Sequence, residues 1–579
     1  MGALFGFSGP PDPRLLARMG EALAHRGRGD VVTHVTAHGS LAVRSVRPKD
    51  APRLRAASLS VDGELAVAFS GLSTSRVFSE PSQLLAAYRE RGPELLHDLR
   101  GAYVLAVLDA DRMLLARDGA GVRTLYYGQA GGRFLFAVEP KGVLAHPEFP
   151  RRIRPAALAQ YLSMSFVPGG GTMLEGLYEL CPGHHLSRDA ASPEPKIERW
   201  FVFEDDRETE ALSEEEWVER FRREHAEAVA RRLPDGPVAV FLSGGLDSSA
   251  VTAEVARQHE HPVLTYAIHF GQGYDNELSF AREVAERAGT RHREVLLRPK
   301  EFLPRLRRIL WHLDDPIGDP ITAPNFELAA LVARDVDFAF NGEGGDPVFG
   351  GPKNIPMLLH HWYGGIDRDE RFRARMYLAS YRRSYEEWPR VLAPLWRSKV
   401  DAERDLEAVF APGFDAELPT SFLNKLCAIN IRQKGAHLIL PKVDRMAGAS
   451  GLTTLSPLFD ERLIESSFRM PPTLKLKNGI EKLVMKRAYA DLLPESVVRR
   501  PKSGMRVPVH FWFQGEMKRY AKKVLSKKEL ARAGIFDPKR VAQILGYDTD
   551  EGPGRYGLRL WMLLSFEIWR RIVVEREPV

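Results

Sequence analysis

The sequence predicts a two-domain α/β protein, and three observations support that prediction. From residue 1 to about 200, short apolar runs separated by turns predict a β-rich domain. From residue 238 onward, apolar strands alternate with helices, which is the pattern of a parallel sheet. With 579 residues, the chain is long enough for at least two full-sized cores. A linker-like stretch and an acidic stretch near residue 200 separate the two parts, so we predict domains at 1–205 and 206–579.

Composition and charge narrow the class of protein. Apolar residues make up 44% and charged residues 27%, which is typical of a soluble globular protein. The net charge of +6 is small and its cations are interspersed with acids, so we expect no nucleic-acid partner. The two cysteines, Cys181 and Cys427, form neither a disulfide framework nor a zinc spacing. With no signal peptide and no apolar run of membrane-spanning length, we expect a cytoplasmic protein without a membrane partner.

The N-terminal elements alternate strands with helices, and no spacing among them indicates chemistry by itself. Predicted strands lie at 65–69, 102–108 and 133–138, and predicted helices at 13–24 and 81–89.

The C-terminal domain opens with a capping-box pattern at Ser213 and Glu216, which predicts a helix start. Strands are predicted at 238–242, 262–270, 292–297 and 338–340, with helices at 250–256 and 277–288. The remainder is predicted to be mostly helical, including 371–388 and 424–446. Apolar and aromatic residues at helical spacing in 558–569 are interpreted as core packing.

The most informative stretch is 238–249, in which an apolar strand ends at a glycine turn and a helix follows. Glycines allow backbone N–H groups to surround a phosphate, and a helix N-terminus adds a positive dipole end. A carboxylate suited to magnesium and several hydroxyl donors follow the strand, at Asp247, Ser243, Ser248 and Ser249. The stretch is neither a Walker loop nor a dinucleotide fingerprint. It resembles the pyrophosphate loop of ATP pyrophosphatases, which cleave ATP to AMP and pyrophosphate.

A second glycine loop, 341–351, follows the predicted strand 338–340 and carries Asp346. Ligands of parallel α/β sheets bind at the carboxyl ends of strands. Two glycine loops at neighbouring strand ends, each with an aspartate, can hold one magnesium–pyrophosphate between them. We therefore predict Asp247 and Asp346 as the magnesium ligands.

These loops and further motifs resemble the asparagine synthetase family of the glutamine-hydrolysing type over nearly the whole chain. The other motifs that carry the resemblance lie at 25–30, 115–118, 125–127, 136–141, 443–446 and 481–482. The resemblance implies an N-terminal Ntn-hydrolase-like αββα sandwich. It also implies a C-terminal ATP-pyrophosphatase domain with a parallel sheet and helical additions. The family forms an acyl-adenylate from ATP and a carboxylate and then transfers the acyl group to ammonia or an amine.

The resemblance also implies cofactors and residue roles. ATP and Mg²⁺ are the implied cofactors, and a homodimer is compatible with the family. Lys482 matches the lysine that neutralises charge on the reacting phosphate. Glu343 matches the glutamate that takes a proton from the attacking nitrogen, where β-lactam-forming relatives have tyrosine. The implied nucleotide-binding residues are Leu242, Ser243, Gly244, Gly245, Leu246, Asp247, Ser248, Ser249, Gly342 and Gly344.

Several departures from the family pattern predict that glutamine hydrolysis has been lost. The nucleophilic cysteine of the family is replaced by Gly2, which has no side chain to attack an amide. Ser70 and Leu72 replace residues that hold glutamine in the family. We therefore expect a degenerate class II amidotransferase-like domain, retained for packing. Thr453 and Leu455 replace a charged glutamate and arginine, which suggests a carboxylate other than aspartate.

Four alternatives to a specialised amide synthetase stay open. An asparagine synthetase fed by free ammonia or by a separate glutaminase uses the same residues. Lasso-peptide cyclases and β-lactam-type synthetases are relatives that also lack the N-terminal cysteine. A tRNA-modifying pyrophosphatase shares the first loop, but we find no RNA-binding module in the sequence. A non-enzymatic scaffold is disfavoured because Asp247, Glu343, Asp346 and Lys482 are all present.

Overall fold

The computed structural model describes residues 2–27, 29–45, 57–110, 112–189, 194–205, 212–352, 354–363, 371–380, 388–501, 504–546 and 556–579. The predicted domain boundary at residues 205 and 206 adjoins residues 206–211, which lie outside this part. The predicted helix 371–388 also falls partly outside it.

The N-terminal region folds into layers of antiparallel sheet, as the short apolar runs predicted. Its strands are β1 (Ala3–Ser8), β2 (Val31–Val35), β3 (Gly39–Arg44), β4 (Ala57–Asp62), β5 (Leu65–Ser73), β6 (Gly101–Asp109), β7 (Arg112–Arg117), β8 (Tyr126–Ala130), β9 (Arg133–Ala137), β10 (Leu177–Glu179), β11 (His184–Arg188) and β12 (Lys196–Arg199). Within the described residues, one sheet has the order β10-β8-β9-β1-β3-β2 and the other has the order β12-β11-β7-β6-β5-β4.

Helices cover the outer faces of these two sheets. The helices are α1 (Pro13–Ala22), α2 (Pro81–Arg91), α3 (Pro140–Val143) and α4 (Pro155–Met164). α1 and α3 pack on the sheet that contains β1, and α2 packs on the sheet that contains β5. β5 and β6 are buried along almost their whole length because sheet lies on one side and helix on the other. The αββα arrangement is confirmed, and we call β1 to β12 with α1 to α4 the N-terminal sandwich.

The second region is built on a parallel sheet, as the alternation of strands and helices predicted. Its strands are β13 (Val238–Phe241), β14 (Leu264–His269), β15 (Arg291–Leu296), β16 (Phe338–Phe340) and β17 (Thr453–Leu455). Their order is β15-β14-β13-β16-β17, and every pairing is parallel. β13 and β16 are therefore neighbours, which brings the two glycine loops to one edge of the sheet. β17 was not predicted, since a three-residue strand far along the chain has no periodicity to reveal it.

Helices precede and connect the strands of this sheet. They are α5 (Glu214–Ala230), α6 (Leu246–Gln258), α7 (Leu278–Arg287), α8 (Pro299–Phe302), α9 (Leu306–Leu313), α10 (Thr322–Val332) and α11 (Gly345–Phe349). The predicted capping box starts α5: Glu216 N donates to the Ser213 hydroxyl at 3.2 Å, and Ser213 N donates to the Glu216 carboxylate at 2.7 Å.

The remainder of the chain is mostly helical, as predicted. Its helices are α12 (Asn354–Tyr363), α13 (Phe372–Ser380), α14 (Trp388–Val391), α15 (Pro394–Arg397), α16 (Ala408–Asp415), α17 (Phe422–Ile429), α18 (Leu440–Gly448), α19 (Glu461–Arg469), α20 (Pro472–Lys475), α21 (Leu483–Ala488), α22 (Glu495–Arg499), α23 (Val509–Gln514), α24 (Lys518–Val524), α25 (Lys527–Ala533), α26 (Pro538–Gly546) and α27 (Tyr556–Val573). A π-helical stretch, Asn430–Ile439, joins α17 to α18, and a small hairpin pairs β18 (Leu476–Lys477) with β19 (Ile480–Glu481).

α27 runs through the core, in agreement with the interpretation of 558–569 as packing. Trp561, Phe566 and Trp569 are fully buried in it. In the described part of the chain, no helix combines the length and the apolar character needed to cross a bilayer.

Candidate active site

The first glycine loop joins β13 to α6 at the carboxyl edge of the parallel sheet. Gly244 has a φ of +81°, and a Cβ added there would lie 2.7 Å from the carbonyl oxygen of Glu277, so only glycine fits. The hydroxyl oxygens of Ser243 and Ser248 lie 3.0 Å apart, and Ser243 N donates to the Ser248 hydroxyl at 3.2 Å. Backbone N–H groups and hydroxyls therefore converge at a helix N-terminus, which is the arrangement of an anion site.

α6 begins at Leu246, four residues before the predicted start at residue 250. Asp247, Ser248 and Ser249 therefore lie in the first helical turn instead of in a loop. Leu246 and Ser249 are buried and do not line the cleft at this edge, and neither does Gly244. The nucleotide-binding residues predicted on this loop that do line the cleft are Leu242, Ser243, Gly245, Asp247 and Ser248.

The second glycine loop packs directly onto the first. A Cβ added at Gly342 would lie 2.4 Å from Ser248 N, and one added at Gly345 would lie 2.3 Å from the Asp247 carboxylate. Gly344 has a φ of +116° and would also place a Cβ 2.8 Å from the Leu458 side chain. Side chains are excluded at these positions, so the two loop backbones lie in contact.

Glu343 lies on this second loop and lines the same cleft. Its backbone N–H donates to the side-chain oxygen of Asn341 at 3.0 Å, and the Ser456 hydroxyl donates to that oxygen at 3.1 Å. Asn341 N in turn donates to the carbonyl oxygen of Leu455 at 3.0 Å. These bonds fix the backbone that carries Glu343 to β17.

Lys482 joins the two predicted magnesium ligands. Its Nζ lies 2.7 and 2.6 Å from the two carboxylate oxygens of Asp247 and 2.6 Å from Oδ1 of Asp346. The lysine side chain is 1% exposed, the Asp247 side chain 10% and the Asp346 side chain 39%. A buried ammonium is tolerated when opposite charges surround it, and here two carboxylates do so.

The backbone before Lys482 explains how it reaches this position. Asn478 and Gly479 have positive φ values of 53° and 77° and form the turn of the β18–β19 hairpin, which is the usual Asn-Gly hairpin turn. Lys482 itself has a φ of +53°, and its N–H donates to the carbonyl oxygen of Lys475 at 2.7 Å. The hairpin therefore ends with the lysine directed toward the phosphate loops, a position that the resemblance implied and the spacing did not.

A buried set of hydrogen-bonded side chains connects α5, α6 and the residue that follows α21. The hydroxyl of Tyr489, which follows α21, donates to the Glu254 carboxylate on α6 at 3.2 Å and lies 2.5 Å from His225 Nδ1 on α5. Burial lowers the pKa of His225 to about 4, so its ring is neutral near pH 7. These contacts connect the helix that carries Asp247 to the helix that follows Lys482.

The carboxylates of Asp247 and Asp346 fit a magnesium–phosphate ligand. Magnesium is commonly held by one or two carboxylates together with substrate phosphates, and it does not require a cage of protein ligands. Within the described residues, no cluster of three or more histidine, cysteine or acidic side chains could hold a metal without such phosphates. The ammonium of Lys482 already shows that a cation is stable between these two carboxylates.

Ser243, Asp247, Ser248, Glu343 and Asp346 border one cleft of about 1260 Å³, whereas Lys482, which is bonded to both aspartates, is not part of its lining. Its remaining wall includes apolar and aromatic side chains, which are Met164, Tyr266, Ile268, Tyr274, Ile321, Leu328, Met357, Tyr377, Leu438, Ile439, Val443, Met446, Met505, Val507, Val509, Phe511 and Leu558. Pockets of this kind, mostly apolar with a few placed polar groups, are typical of small-molecule sites.

Sequence reasoning missed several cleft residues. Lys442 Nζ lies 2.7 Å from Asp319 Oδ2, and both residues line the cleft. Met164 and Ser165, from the end of α4, also line it, although they belong to the N-terminal sandwich. Lys442 adjoins the family-like motif at 443–446, which is the one sequence signal that could have indicated it. Residues brought together from distant segments carry no such signal.

The two substitutions that suggested a different carboxylate lie elsewhere. Thr453 and Leu455 are buried in β17 and are not part of the cleft lining. The carbonyl oxygen of Leu455 accepts the N–H of Asn341 at 3.0 Å, whereas Thr453 N donates to the carbonyl oxygen of Asp337 at 2.9 Å.

The position predicted to have lost the glutaminase nucleophile has no room for a side chain. A Cβ added at Gly2 would lie 2.1 Å from the carbonyl oxygen of Arg44 and 2.6 Å from the Cβ of Ala57. The Ser70 hydroxyl donates to the carbonyl oxygen of Gly2 at 2.9 Å. The space beside β1 is therefore filled by backbone and by a serine.

Comparisons with known proteins match the two regions of the chain to two family models. A family model described as asparagine synthase matches residues 220–571, and one described as a glutamine amidotransferase domain matches residues 64–201. Asparagine synthetase [glutamine-hydrolyzing] 1 of Bacillus subtilis is 26% identical over 527 residues, covering 86% of this chain and 82% of that protein.

Two further relatives match most of the chain at a similar identity. A putative asparagine synthetase [glutamine-hydrolyzing] of Mycobacterium tuberculosis is 28% identical over 541 residues, covering 86% of this chain and 80% of that protein. A protein named amidase chry2 of Gibberella zeae is 25% identical over 520 residues, covering 78% of this chain and 76% of that protein.

Proposed function

Because this chain belongs to the asparagine synthase family and is an ATP-dependent ligase of carbon–nitrogen bonds, we propose that it cleaves ATP to AMP and pyrophosphate. In this proposal a carboxylate is adenylated first, and ammonia or an amine then displaces AMP to form an amide. The observation that carries the proposal is the single cleft that Asp247, Asp346 and Glu343 share, with Lys482 bridging the two aspartates.

Activation is assigned to the two glycine loops and the lysine. A carboxylate oxygen of the substrate attacks the α-phosphorus of ATP, and pyrophosphate leaves as the new P–O bond forms. In this proposal the backbone N–H groups at the start of α6 and the hydroxyls of Ser243 and Ser248 bind the pyrophosphate oxygens. The 3.0 Å separation of the two hydroxyl oxygens at the helix start supports this assignment. Lys482 stabilises the negative charge that accumulates on the phosphate in the transition state.

Asp247 and Asp346 would hold magnesium in this reaction. The ion, when bound, neutralises charge on the β- and γ-phosphates and orients the leaving group. The two carboxylates outweigh the single ammonium of Lys482 that lies between them. This group of side chains therefore keeps a net negative charge before any nucleotide binds.

Capture of the acyl-adenylate is assigned to Glu343. An ammonium or alkylammonium must lose a proton before its nitrogen can attack, and a carboxylate in the cleft can accept that proton. The nitrogen then forms the C–N bond and releases a second proton to solvent, and AMP leaves with the electron pair of the bond between the acyl carbon and the phosphate oxygen. The bonds from Asn341 to β17 support this role because they hold the Glu343 backbone at the cleft.

We further propose that the N-terminal sandwich does not supply ammonia from glutamine. Gly2 has no nucleophile, and the space that a side chain would need is occupied by Arg44 and Ala57. Free ammonia, an amine substrate or a separate glutaminase would then provide the nitrogen.

The substrate pair that we favour belongs to specialised metabolism and not to asparagine formation. The cleft lining is mostly apolar and aromatic, which suits a carboxylate with an apolar body. Similarity to the Gibberella zeae protein named amidase chry2 is consistent with a substrate other than aspartate. Similarity to proteins named asparagine synthetase keeps aspartate with ammonia as the second candidate.

The test is nucleotide analysis of the purified full chain with ATP and Mg²⁺. Aspartate, other carboxylic acids and peptides are screened with and without ammonia and amines, and AMP, pyrophosphate and amide are quantified. We expect AMP and amide in equal amounts with one class of acid. Formation of ADP, or nucleotide consumption that no carboxylate stimulates, would contradict the proposal.

A further inference from the structure

α18 has two functional faces. Residues on a helix are spaced about 100° apart, so positions 442, 443, 446 and 447 share one face and positions 444, 445 and 448 share the opposite one. The first face lines the cleft through Lys442, Val443, Met446 and Ala447. The second face contacts the N-terminal sandwich, as the following contacts show.

Asp444 is the main contact of that second face. Its carboxylate lies 2.6 Å from Arg26 Nη2 and 2.5 Å from Arg123 Nη1, both from the N-terminal sandwich. Burial alone would raise the pKa of the Asp444 carboxyl, but the two guanidinium groups outweigh it and hold that pKa well below its usual range. One turn later, a Cβ added at Gly448 would lie 2.6 Å from Arg26 Nη1, so the helix and the arginine are closely packed.

Arg445 extends the same contact. It donates to the carbonyl oxygen of Leu313 at the end of α9 and to the hydroxyl of Tyr126 in β8. The Tyr126 hydroxyl in turn donates to the Glu179 carboxylate at 3.0 Å. α18 is therefore bonded to the sandwich sheet that contains β8 and β10, and to the end of α9. Arg445 Nε also lies 3.6 Å from Oδ2 of Asp314, the first residue after α9.

The segment 314–321, which follows α9, forms a second wall of the cleft. Like α18, it contacts the N-terminal sandwich at one place and lines the cleft at another. At its start, Asp314 pairs with Lys141 at 2.7 Å, and Asp315 accepts the N–H of Met173 at 3.1 Å, so both aspartates are bound to the N-terminal sandwich. At its end, Asp319, Pro320 and Ile321 line the cleft.

The two walls meet each other and the sandwich at the cleft. Asp319 of the segment pairs with Lys442 of α18 at 2.7 Å. Between them, Gly318 N donates to the carbonyl oxygen of Ser165 at 2.7 Å, and Ser165 and Met164 line the cleft themselves. These contacts thus connect the N-terminal sandwich, the segment 314–321 and α18 to one another.

We propose that the N-terminal sandwich is a structural part of the synthetase cleft, in which Arg26, Arg123 and Lys141 are positioning residues for the Lys442–Asp319 pair. This inference rests on the proposed function of the cleft. It assigns the sandwich a role in the synthetase reaction itself, apart from any supply of ammonia. Since a buried carboxylate that loses its partner is left uncompensated, the wall must shift when one of these charges is removed.

The test compares Asp444→Asn with Arg26→Lys. The lysine is a milder change that keeps the positive charge but cannot bond Asp444 and Glu139 together, as the Arg26 guanidinium does. Two readouts are taken on the full chain: the kcat/KM of amide formation, and the methyl NMR resonance of Met446 on the cleft face of α18. Glu567→Gln is the matched control, because that buried carboxylate also bonds two arginines, Arg570 at 2.8 Å and Arg571 at 2.8 Å, both on its own helix α27.

We expect both test variants to shift the Met446 methyl resonance and to lower kcat/KM by roughly 10- to 100-fold, the scale of a misplacement near 1 Å. The control should lower the melting temperature while kcat/KM stays within about twofold and the resonance stays unshifted. Unchanged resonance and kcat/KM in Asp444→Asn, or equal changes in the control, would overturn the inference. If the parent activates no carboxylate, the proposed function fails, while the methyl resonance still decides whether the sandwich positions this wall.

Discussion

The ammonium of Lys482 contacts both carboxylate oxygens of Asp247, at 2.7 and 2.6 Å, at the base of the two phosphate loops. The lysine is therefore held in position before a nucleotide arrives. Its charge is also balanced there, so that binding of ATP requires only that the lysine exchange one anionic partner for another.

Lys482→Ala should abolish both AMP and amide formation. The variant loses the charge that stabilises the reacting phosphate, and it leaves Asp247 and Asp346 facing each other without a cation. The measurement is pyrophosphate–ATP exchange together with amide yield. Lys486→Ala, which removes a lysine of α21 that pairs with Glu481 of β19 at 3.2 Å, serves as control and should keep activity within about twofold.

Asp247→Asn and Asp346→Asn should each reduce pyrophosphate exchange by roughly a hundredfold or more, because each removes one hard oxygen charge from the proposed magnesium site. Exchange should recover in part at high Mg²⁺ concentration, which a purely structural defect would not show. Parent-like exchange in both variants at every Mg²⁺ concentration would mean that the metal is held elsewhere.

Glu343→Gln should separate activation from capture. The amide is nearly isosteric and keeps hydrogen bonding, but it cannot accept a proton. AMP should still form, while amide output falls by about a hundredfold, the scale of losing a general base. Output should rise again at higher pH, where more of the amine is already deprotonated. Parallel loss of AMP and amide would assign Glu343 to activation instead.

Gly2→Cys should not restore glutamine hydrolysis. A Cβ at this position would lie 2.1 Å from the Arg44 carbonyl oxygen, so the new side chain must displace backbone. We expect a lower melting temperature than for the parent and no glutamate release from glutamine in either protein. Glutamate release by the parent at the rate of amide formation would refute the loss of the glutaminase.

Stability should fall with rising pH through the carboxyl of Glu461. Burial, aided by the neighbouring charge of Asp118, raises the pKa of Glu461 to about 8, from an ordinary value of 4.5. The folded state therefore binds the proton more tightly, and this contribution to stability is full below pH 4.5 and is lost as pH rises through about 8.

Glu461→Gln removes that titration. Denaturant unfolding at several pH values should show that the parent loses stability relative to the variant between pH 4.5 and 8. A difference between the two proteins that does not vary over this range would show that Glu461 does not titrate there.

Apolar runs and glycine turns in the sequence predicted the strands and loops that short stretches of chain determine. The alternation of apolar runs gave β13, β14, β15 and β16 to within two residues, and the glycine loops lie at neighbouring strand ends as expected. The helix start at Leu246 was placed too late because Asp247, Ser248 and Ser249 have low helix propensity and suggested a loop. In the structure they form the first turn of α6 instead.

Contacts between distant segments could not be predicted in this way. Asp319 and Lys442 are 123 positions apart, and Ser165 reaches the cleft from another region altogether. No periodicity or spacing connects them, since only the packing of α18 between the sandwich and the cleft brings them together. The position of Lys482 required the family resemblance for the same reason.

A Cβ has no room at Gly342 or Gly345, whereas other parts of the cleft are formed by ordinary side chains such as Tyr274, Met357 and Tyr377. Substitutions among those side chains leave the backbone of the phosphate loops unchanged. Natural drift or a directed-evolution library can therefore alter which acid enters, while nucleotide chemistry is inherited intact. Substrate range is the evolvable property of this scaffold.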